Sequence, residues 1–442
     1  MSKTPKLVGH TFLFERRFLP IFLVQFLGAF NDNFYKNAMV ILIAFQLNLS
    51  IEQTGLYITL AAGLFILPFF LFSAIAGQLA DHFCKSSLIR YIKLAEIPIM
   101  ALAAVGFLTM QVEWLFIALF LMGTQSAFFG PIKYSILPEV LESGQLLRGN
   151  ALFSGSTFIA ILLGTIGGGI LIMLDSGAQI VSALVMLFAV LGYVISRVVP
   201  STQYASETVT IDLNIFRSTW QIVKRSTEHK EAFFAVWAIS WFWFIGAVLL
   251  SQIPSFVKVT LHANEQVVVA FLTVFSIGIA SGAGLMSLLC KQTVTLRFHP
   301  WLLVSMSLFL LLTVWVANAM VIASPHTISD PSNLLDLVAF LSLWPQSLSL
   351  LFMFALAVAG GAYIVPLYTQ LQTKTPQSSR ARIVAVNNIL NAFLMVLSSI
   401  LIMVGFSFEL SLPAMLLVLA VFNLFIAGWF ARNARSYNEM VI

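Results

Sequence analysis

Long apolar runs leave this chain few choices of solvent. Windows of about 20 apolar residues, the length of helix that crosses a bilayer's hydrocarbon core, recur twelve times. They lie near 19–46, 54–80, 88–109, 112–132, 148–173, 177–198, 230–253, 266–290, 298–322, 347–372, 380–404 and 410–431. Only 9% of the 442 residues are charged, where soluble domains carry about 25%. So few charges cannot cover a surface facing water, and lipid must be the solvent. A porin-type barrel would show alternating segments of about 10 residues, and none is present. Forty Phe and nine Trp suit helices set against acyl chains. The expected fold class is an all-α integral membrane protein with twelve transmembrane helices.

Lys and Arg set the expected orientation. With the N-terminus placed inside, 21 of the 23 basic residues fall in inside segments, Lys258 alone falls outside, and Lys36 lies within the first span. Both termini are therefore expected in the cytoplasm. The net charge of +5 is a topology signal and gives no reason to expect nucleic acid. Phe18–Phe30 follows Arg16-Arg17 as a signal-peptide core would, but no small-x-small cleavage site follows and the apolar pattern resumes, so an uncleaved first helix is expected. Cys84 and Cys290 fall at cytoplasmic helix ends and are expected as free thiols.

The polar stretch 199–229 separates six spans from six. The expected organisation is an N-terminal six-helix bundle over 1–198, a cytoplasmic linker over 199–229 and a C-terminal bundle over 230–442. Two weak internal matches support duplication: "LADHFCKSSL" (79–88) with "LMSLLCKQTV" (285–294), and "AFFGPIKYSIL" (127–137) with "AYIVPLYTQLQ" (362–372). Repeats of this kind hold their site near the midplane, between the halves.

The centre of the first span reads Asn31-Asp32-Asn33, with Lys36 and Asn37 one turn on. A charge at mid-bilayer costs about 2.5–3.5 kcal/mol on insertion scales. Asp32 and Lys36, spaced i, i+4, share a face with Gln25. Two readings are open: a polar patch lining a transport pathway, or a structural ion pair with amide glue between helices. Lys133, at the inner end of the fourth span, either joins that pathway or snorkels to the interface. Glu96 either pairs with Lys93 or faces the bundle. Asn387, Asn388 and Asn391 cluster in the eleventh span, and Asn387 and Asn391 share a face. Candidate pathway residues are thus Asn31, Asp32, Asn33, Lys36, Lys133, Asn387 and Asn391. Gly77, Asp81 and Lys85, between the second and third spans, are candidates for a gate. Gly77 permits close helix approach, and Asp81 can cap a neighbouring helix or pair with a base across the halves; a solvated loop charge is the alternative.

"GQLADHFCK" (77–85) resembles the G-x-L-A-D-x-x-G-[RK] signature of the major facilitator superfamily, with Cys84 in place of the second Gly. "QFLGAFNDNFYKNA" (25–38), "GPIKYSILPE" (130–139) and "NALFSGSTFIAILLGTIGGG" (150–169) are together similar to the bacterial lysophospholipid transporter family, and to the membrane portion of transporter–acyltransferase fusion proteins. The resemblance is strongest over the first six spans. It implies a 6+6 pseudo-symmetric fold in the bacterial inner membrane. It also implies movement of lysophospholipids such as lysophosphatidylethanolamine to the inner leaflet, where a separate cytoplasmic acyltransferase would re-acylate them. Asp32 matches the family's intramembrane acid and Lys133 its base in the fourth span. An acid and a base suit the ammonium and phosphate of a zwitterionic headgroup.

An acyltransferase would need H-x-x-x-x-D. None of the six His has Asp at that spacing, His326 to Asp330 being one residue short, and no soluble domain is expected after Ile442. No enzyme activity, metal or cofactor is expected. The rival reading is a proton-coupled exporter of drugs or other small amphiphiles, with Asp32 as the protonation site.

Overall fold

A computed structural model describes residues 12–47, 49–202, 211–290, 296–323 and 334–438; of the side chains, those at 51, 52, 318–323 and 433–438 are excluded. Within these residues the regular elements are helices, apart from one isolated bridge between Ala263 and Leu335. The twelve long helices are α1 (Leu19–Phe45), α2 (Ile51–His82), α3 (Lys85–Thr109), α4 (Val112–Ser135), α5 (Leu146–Ile172) and α6 (Gly177–Ser196), then α7 (Lys230–Ser255), α8 (Glu265–Leu289), α9 (His299–Ala323), α10 (Trp344–Thr373), α11 (Arg380–Ser407) and α12 (Leu412–Asn438). Eleven are long and apolar enough to cross a membrane. The exception, α1, has 27 residues and loses hydropathy to its polar centre at Asn31–Asn37.

Local signals explain several ends. Pro20 stands in the first turn of α1, where its missing N–H costs no hydrogen bond. Ser50 and Gln53 form a capping box at the start of α2, satisfying two of the amides a helix N-terminus leaves unpaired. Pro68, Pro98, Pro131, Pro254 and Pro366 sit inside spans, which membrane helices tolerate when neighbours restore the lost partner.

Helix pairings repeat between the halves. The pairs α1–α5, α2–α4, α3–α6 and α3–α4 recur as α7–α11, α8–α10, α9–α12 and α9–α10. Across the halves, α5 packs on α8 as α11 packs on α2. This is the 6+6 pseudo-symmetry expected from the weak repeats. Lipid offers no hydrophobic drive between helices, so close backbone packing holds such pairs. A Cβ at Gly164 of α5 would lie 2.5 Å from the Phe30 carbonyl oxygen of α1. Only glycine lets these two helices approach so closely.

Candidate functional site

A cavity of about 260 Å³ lies between the halves. Its wall on the first half includes Gln25, Asp32 and Asn33 of α1, Phe65 and Phe69 of α2, Lys93 of α3, Gln125, Ser126 and Lys133 of α4, and Thr157 of α5. The second half contributes Trp243 of α7, Tyr368 of α10, and Asn388, Asn391 and Met395 of α11. Asp32 and Lys133 therefore face one cavity.

Each charge is held by a neighbour. Ser126 Oγ donates to Asp32 Oδ2 at 2.6 Å. Lys133 Nζ donates to Thr157 Oγ1 at 2.9 Å and stands 5.3 Å from the Tyr134 ring centroid. Thr157 Oγ1 in turn donates to Gln25 Oε1 at 3.0 Å. Lys93 of the wall forms a buried ion pair of 2.6 Å with Glu96 just behind it. Glu96 also accepts from Asn31 Nδ2 at 2.9 Å and from Gln125 Nε2 at 3.1 Å. Both readings open for Glu96 hold at once: it pairs with Lys93 and faces α1 and α4 of the bundle.

Three of the candidate pathway residues are placed elsewhere. Lys36 does not line the cavity and forms no ion pair with Asp32 among the described residues; its ammonium stands 5.2 Å from the Phe65 ring centroid. The i, i+4 spacing put both groups on one side of α1, but Phe65 of α2 takes the lysine. Asn31, one position before Asp32 and about 100° round the helix, turns to Glu96 and to the Val185 carbonyl at 3.3 Å. Asn387 is fully buried and does not line the cavity, and its neighbour Asn388 lines it instead. Asn33 and Asn391 do line it, and Asn391 Oδ1 accepts from Ser240 Oγ at 2.8 Å.

Towards the Lys- and Arg-rich side, contacts between the halves close the cavity. Tyr134 and Tyr368 stack at 4.0 Å and 5°. Below them, Asn150 and Gln372 exchange amide hydrogen bonds of 2.7 and 3.0 Å, with both side chains fully buried. At the end of α2, Asp81 is 0% exposed. Its carboxylate accepts from the Ala381 and Arg382 backbone N–H at 2.9 and 3.1 Å and from Arg382 Nε at 2.9 Å. Asp81 thus caps α11 and pairs with a base across the halves at once. Gly77, one turn earlier, makes room: a Cβ there would lie 2.7 Å from Ala385 Cβ and 2.9 Å from Arg382 Cα. Lys85 instead pairs with Glu139 at 2.6 Å within the first half.

The sequence reading missed Ser126, Trp243 and the Asn150–Gln372 pair. Gln125-Ser126 carried a signal, as adjacent polar residues in an apolar span. The amide pair carried none, because it depends on the register of two distant helices.

A repeated six-helix packing around a central cavity is a transporter architecture, and the comparisons agree. The sequence profile described as Major Facilitator Superfamily matches residues 21–399. The chain belongs to the major facilitator superfamily. Relatives include the lysophospholipid transporter LplT of Escherichia coli O139:H28, 26% identical over 90% of this chain and 91% of that protein. LplT of Escherichia fergusonii is also 26% identical, over 66% of this chain and 70% of that protein. Solved structures of the same fold include a bacterial homologue of the iron transporter ferroportin in an outward-facing state, with TM-score 0.65 and 14% identity over 94% of this chain and 99% of that one. FucP in the outward conformation gives TM-score 0.64 and 12% identity over 94% and 98%. The chain is a multi-pass membrane protein of this superfamily.

Proposed function

We propose that this protein moves lysophospholipids such as lysophosphatidylethanolamine across the bacterial inner membrane. The observation that carries this reading is one acid and one base outside the Lys93–Glu96 ion pair, Asp32 and Lys133, on the wall of a cavity rich in aromatic and apolar side chains. A lysophospholipid has matching parts. Its ammonium would meet Asp32, its phosphate would meet Lys133, and its single acyl chain would run along Phe65, Phe69 and Met395. Charge-assisted hydrogen bonds of this kind are the strong ones. The relatives' name supports the substrate class. Asn33 and Asn391 serve the headgroup as neutral hydrogen-bonding groups.

Asp81 and Gly77 form the inner gate in this reading. The carboxylate cap on α11 holds the cytoplasmic side closed, and release of that cap opens the cavity inwards. Lys85 supports the gate by holding α3 to Glu139. The halves, 1–198 and 230–442, rock about the cavity while 199–229 links them inside the cell, and both termini lie in the cytoplasm. A cytoplasmic acyltransferase consumes the delivered lysolipid.

The test is a leaflet-resolved flip assay in proteoliposomes, with and without a pH gradient. Lysophosphatidylethanolamine should move without the gradient, and a single-chain amine lacking phosphate should not. Movement of the amine alone, only with a gradient, would establish the proton-coupled exporter instead.

A further inference from the structure

One short helix, Ile215–Ser226, lies in the connection between α6 and α7. Asn214 caps it by accepting from the Arg217 N–H at 3.0 Å, and Lys224 and Arg225 occupy its last turn, where cations suit the helix dipole. Its faces differ sharply. Ser218, Ile222 and Ser226 are buried against α2 and α11. Gln78 of α2 fixes this face: its amide donates to Ser218 Oγ, and its carbonyl accepts from the Asp212 N–H at 2.7 Å. On the opposite side Leu213, Phe216 and Trp220 are 72%, 83% and 71% exposed. Phe216 and Trp220, four residues apart, share one face of the helix, and Leu213 stands just before its cap. Arg217 beside it has a side chain 70% exposed, in a 3.4 Å ion pair with Asp212, and Lys224 and Arg225 are exposed.

Large exposed apolar side chains are ordinary on the spans, where lipid covers them. This helix has 12 residues and is too short to span. Bare Leu, Phe and Trp side chains in water are unfavourable by the apolar area they leave hydrated. We propose that the helix lies in the headgroup region of the leaflet on the basic side. Leu213, Phe216 and Trp220 dip into the acyl boundary, and Arg217, Lys224 and Arg225 face anionic phospholipid headgroups. Two observations favour lipid as the occupant. An aromatic stripe edged by Arg and Lys has the composition of an interfacial helix. Gln78 also anchors the helix four residues before the end of the span α2. Because α2 and α11 also carry Asp81 and Arg382, the helix ties the state of the leaflet to the inner contacts between the halves.

The experiment uses the full chain with Trp220→Cys in a Cys84→Ser, Cys290→Ala background, labelled with a polarity-sensitive fluorophore. It is reconstituted in phosphatidylcholine vesicles with and without phosphatidylglycerol. The expected result is blue-shifted emission, quenched by spin-labelled lipid and strengthened by phosphatidylglycerol. Arg217→Gln and Lys224→Gln should each weaken the phosphatidylglycerol response about fivefold, the worth of one basic side chain at an anionic surface. Should Trp220→Cys fail to fold, the same label at Phe216→Cys reads the same face. Emission typical of water in both vesicle types overturns the proposal. A blue shift that appears only after a cytoplasmic protein fraction is added also overturns it, because the occupant is then a protein.

Discussion

The two halves share their helix pairings and differ in their charge. The first half brings Asp32, Lys93 and Lys133 to the cavity wall and Glu96 just behind it. Among the described residues, the second half brings no Asp, Glu, Lys or Arg; its share of the wall is Trp243, Tyr368, Asn388, Asn391, Ala392 and Met395. Repeated architecture therefore does not mean repeated chemistry. A half without cavity charges can move past a charged one without breaking an ion pair at membrane depth, where an unpaired ion is expensive. A charged contact between the halves is found instead at Asp81–Arg382, at the helix ends. We read this as a division of labour: one half recognises the headgroup, and the other provides a surface that can slide.

The sharpest way to break that comparison is to unbalance the charged half. Glu96→Gln would leave Lys93 buried without its counter-ion, and Asn31 and Gln125 with a weaker acceptor. Removing one partner of a buried ion pair costs about 3–5 kcal/mol. Ser240→Ala in the second half removes one neutral hydrogen bond to Asn391, worth about 1 kcal/mol. Thermal unfolding in detergent should show a much larger loss for Glu96→Gln, and the double change Lys93→Met, Glu96→Leu should recover most of it. Equal losses for Glu96→Gln and Ser240→Ala would mean that polar glue matters alike in both halves.

Next in size is headgroup recognition. Asp32→Asn and Lys133→Met each remove a charge-assisted contact worth about 1.5–3 kcal/mol, so transport of lysophosphatidylethanolamine should fall roughly 10- to 100-fold with insertion intact. Asn391→Ala, a neutral contact worth about 1 kcal/mol, should lower it about fivefold. The flip assay reads all three. If Asn391→Ala proves the worst, recognition lies on the second half and the proposed division fails. Lys36→Met should do least of the charged changes, because its ammonium faces Phe65 and not the cavity.

Physical cost explains which residues were legible in the sequence. Asp32 and Lys133 stand out because an ionised group in an apolar window must have a reason to be there. Eleven spans follow from length and hydropathy, while α1 is long enough but its polar centre lowers its hydropathy, and the polar stretch at 199–229 suggested the division into halves. Face assignments were less secure. Asn31 and Asp32 are neighbours in sequence but serve a buried ion pair and a cavity wall, respectively, and helical spacing alone cannot say which side of α1 meets α3. Lys36 depended on where Phe65 of α2 would fall. Trp243 and the Asn150–Gln372 pair could not be seen at all, because each gains its role from the register of helices more than a hundred residues apart.

Smaller effects come from the contacts that close the inner side. Asp81→Asn keeps the shape but weakens three hydrogen bonds to α11, one of them from a guanidinium. Asn150→Ala removes a neutral amide exchange with Gln372. In the proposed gate only the inwardly closed state uses either set, so loss of each should shift the population towards inner opening. Labelling of a cysteine placed on the inner part of α4 should rise severalfold for Asp81→Asn and about half as much for Asn150→Ala. Unchanged labelling with normal transport in Asp81→Asn would leave the carboxylate as a local cap with no gating role.

The smallest effect compares two thiols at matching places in the repeat. Cys84 is the N-cap residue of α3 and Cys290 the C-cap residue of α8, and both are buried thiols outside any disulfide. Burial pushes the Cys84 thiol up, but hydrogen bonds from Ser86, Thr202 and Ser87 outweigh it and bring it down to about 6; the positive end of α3 acts in the same direction. Burial raises the Cys290 thiol, and the negative end of α8 opposes ionisation too. A lowered thiol is thiolate above its own midpoint, so Cys84 should already be ionised at neutral pH while Cys290 stays protonated. Mass-spectrometric alkylation with iodoacetamide across pH should give Cys84 a midpoint near 6, with Cys290 reacting only in strongly alkaline solution. Cys84→Ser should change transport less than twofold, since no part of the cavity wall depends on it. If Cys290 is alkylated first at neutral pH, the two helix ends do not set the thiols apart, and the repeat is chemically more even than its charges suggest.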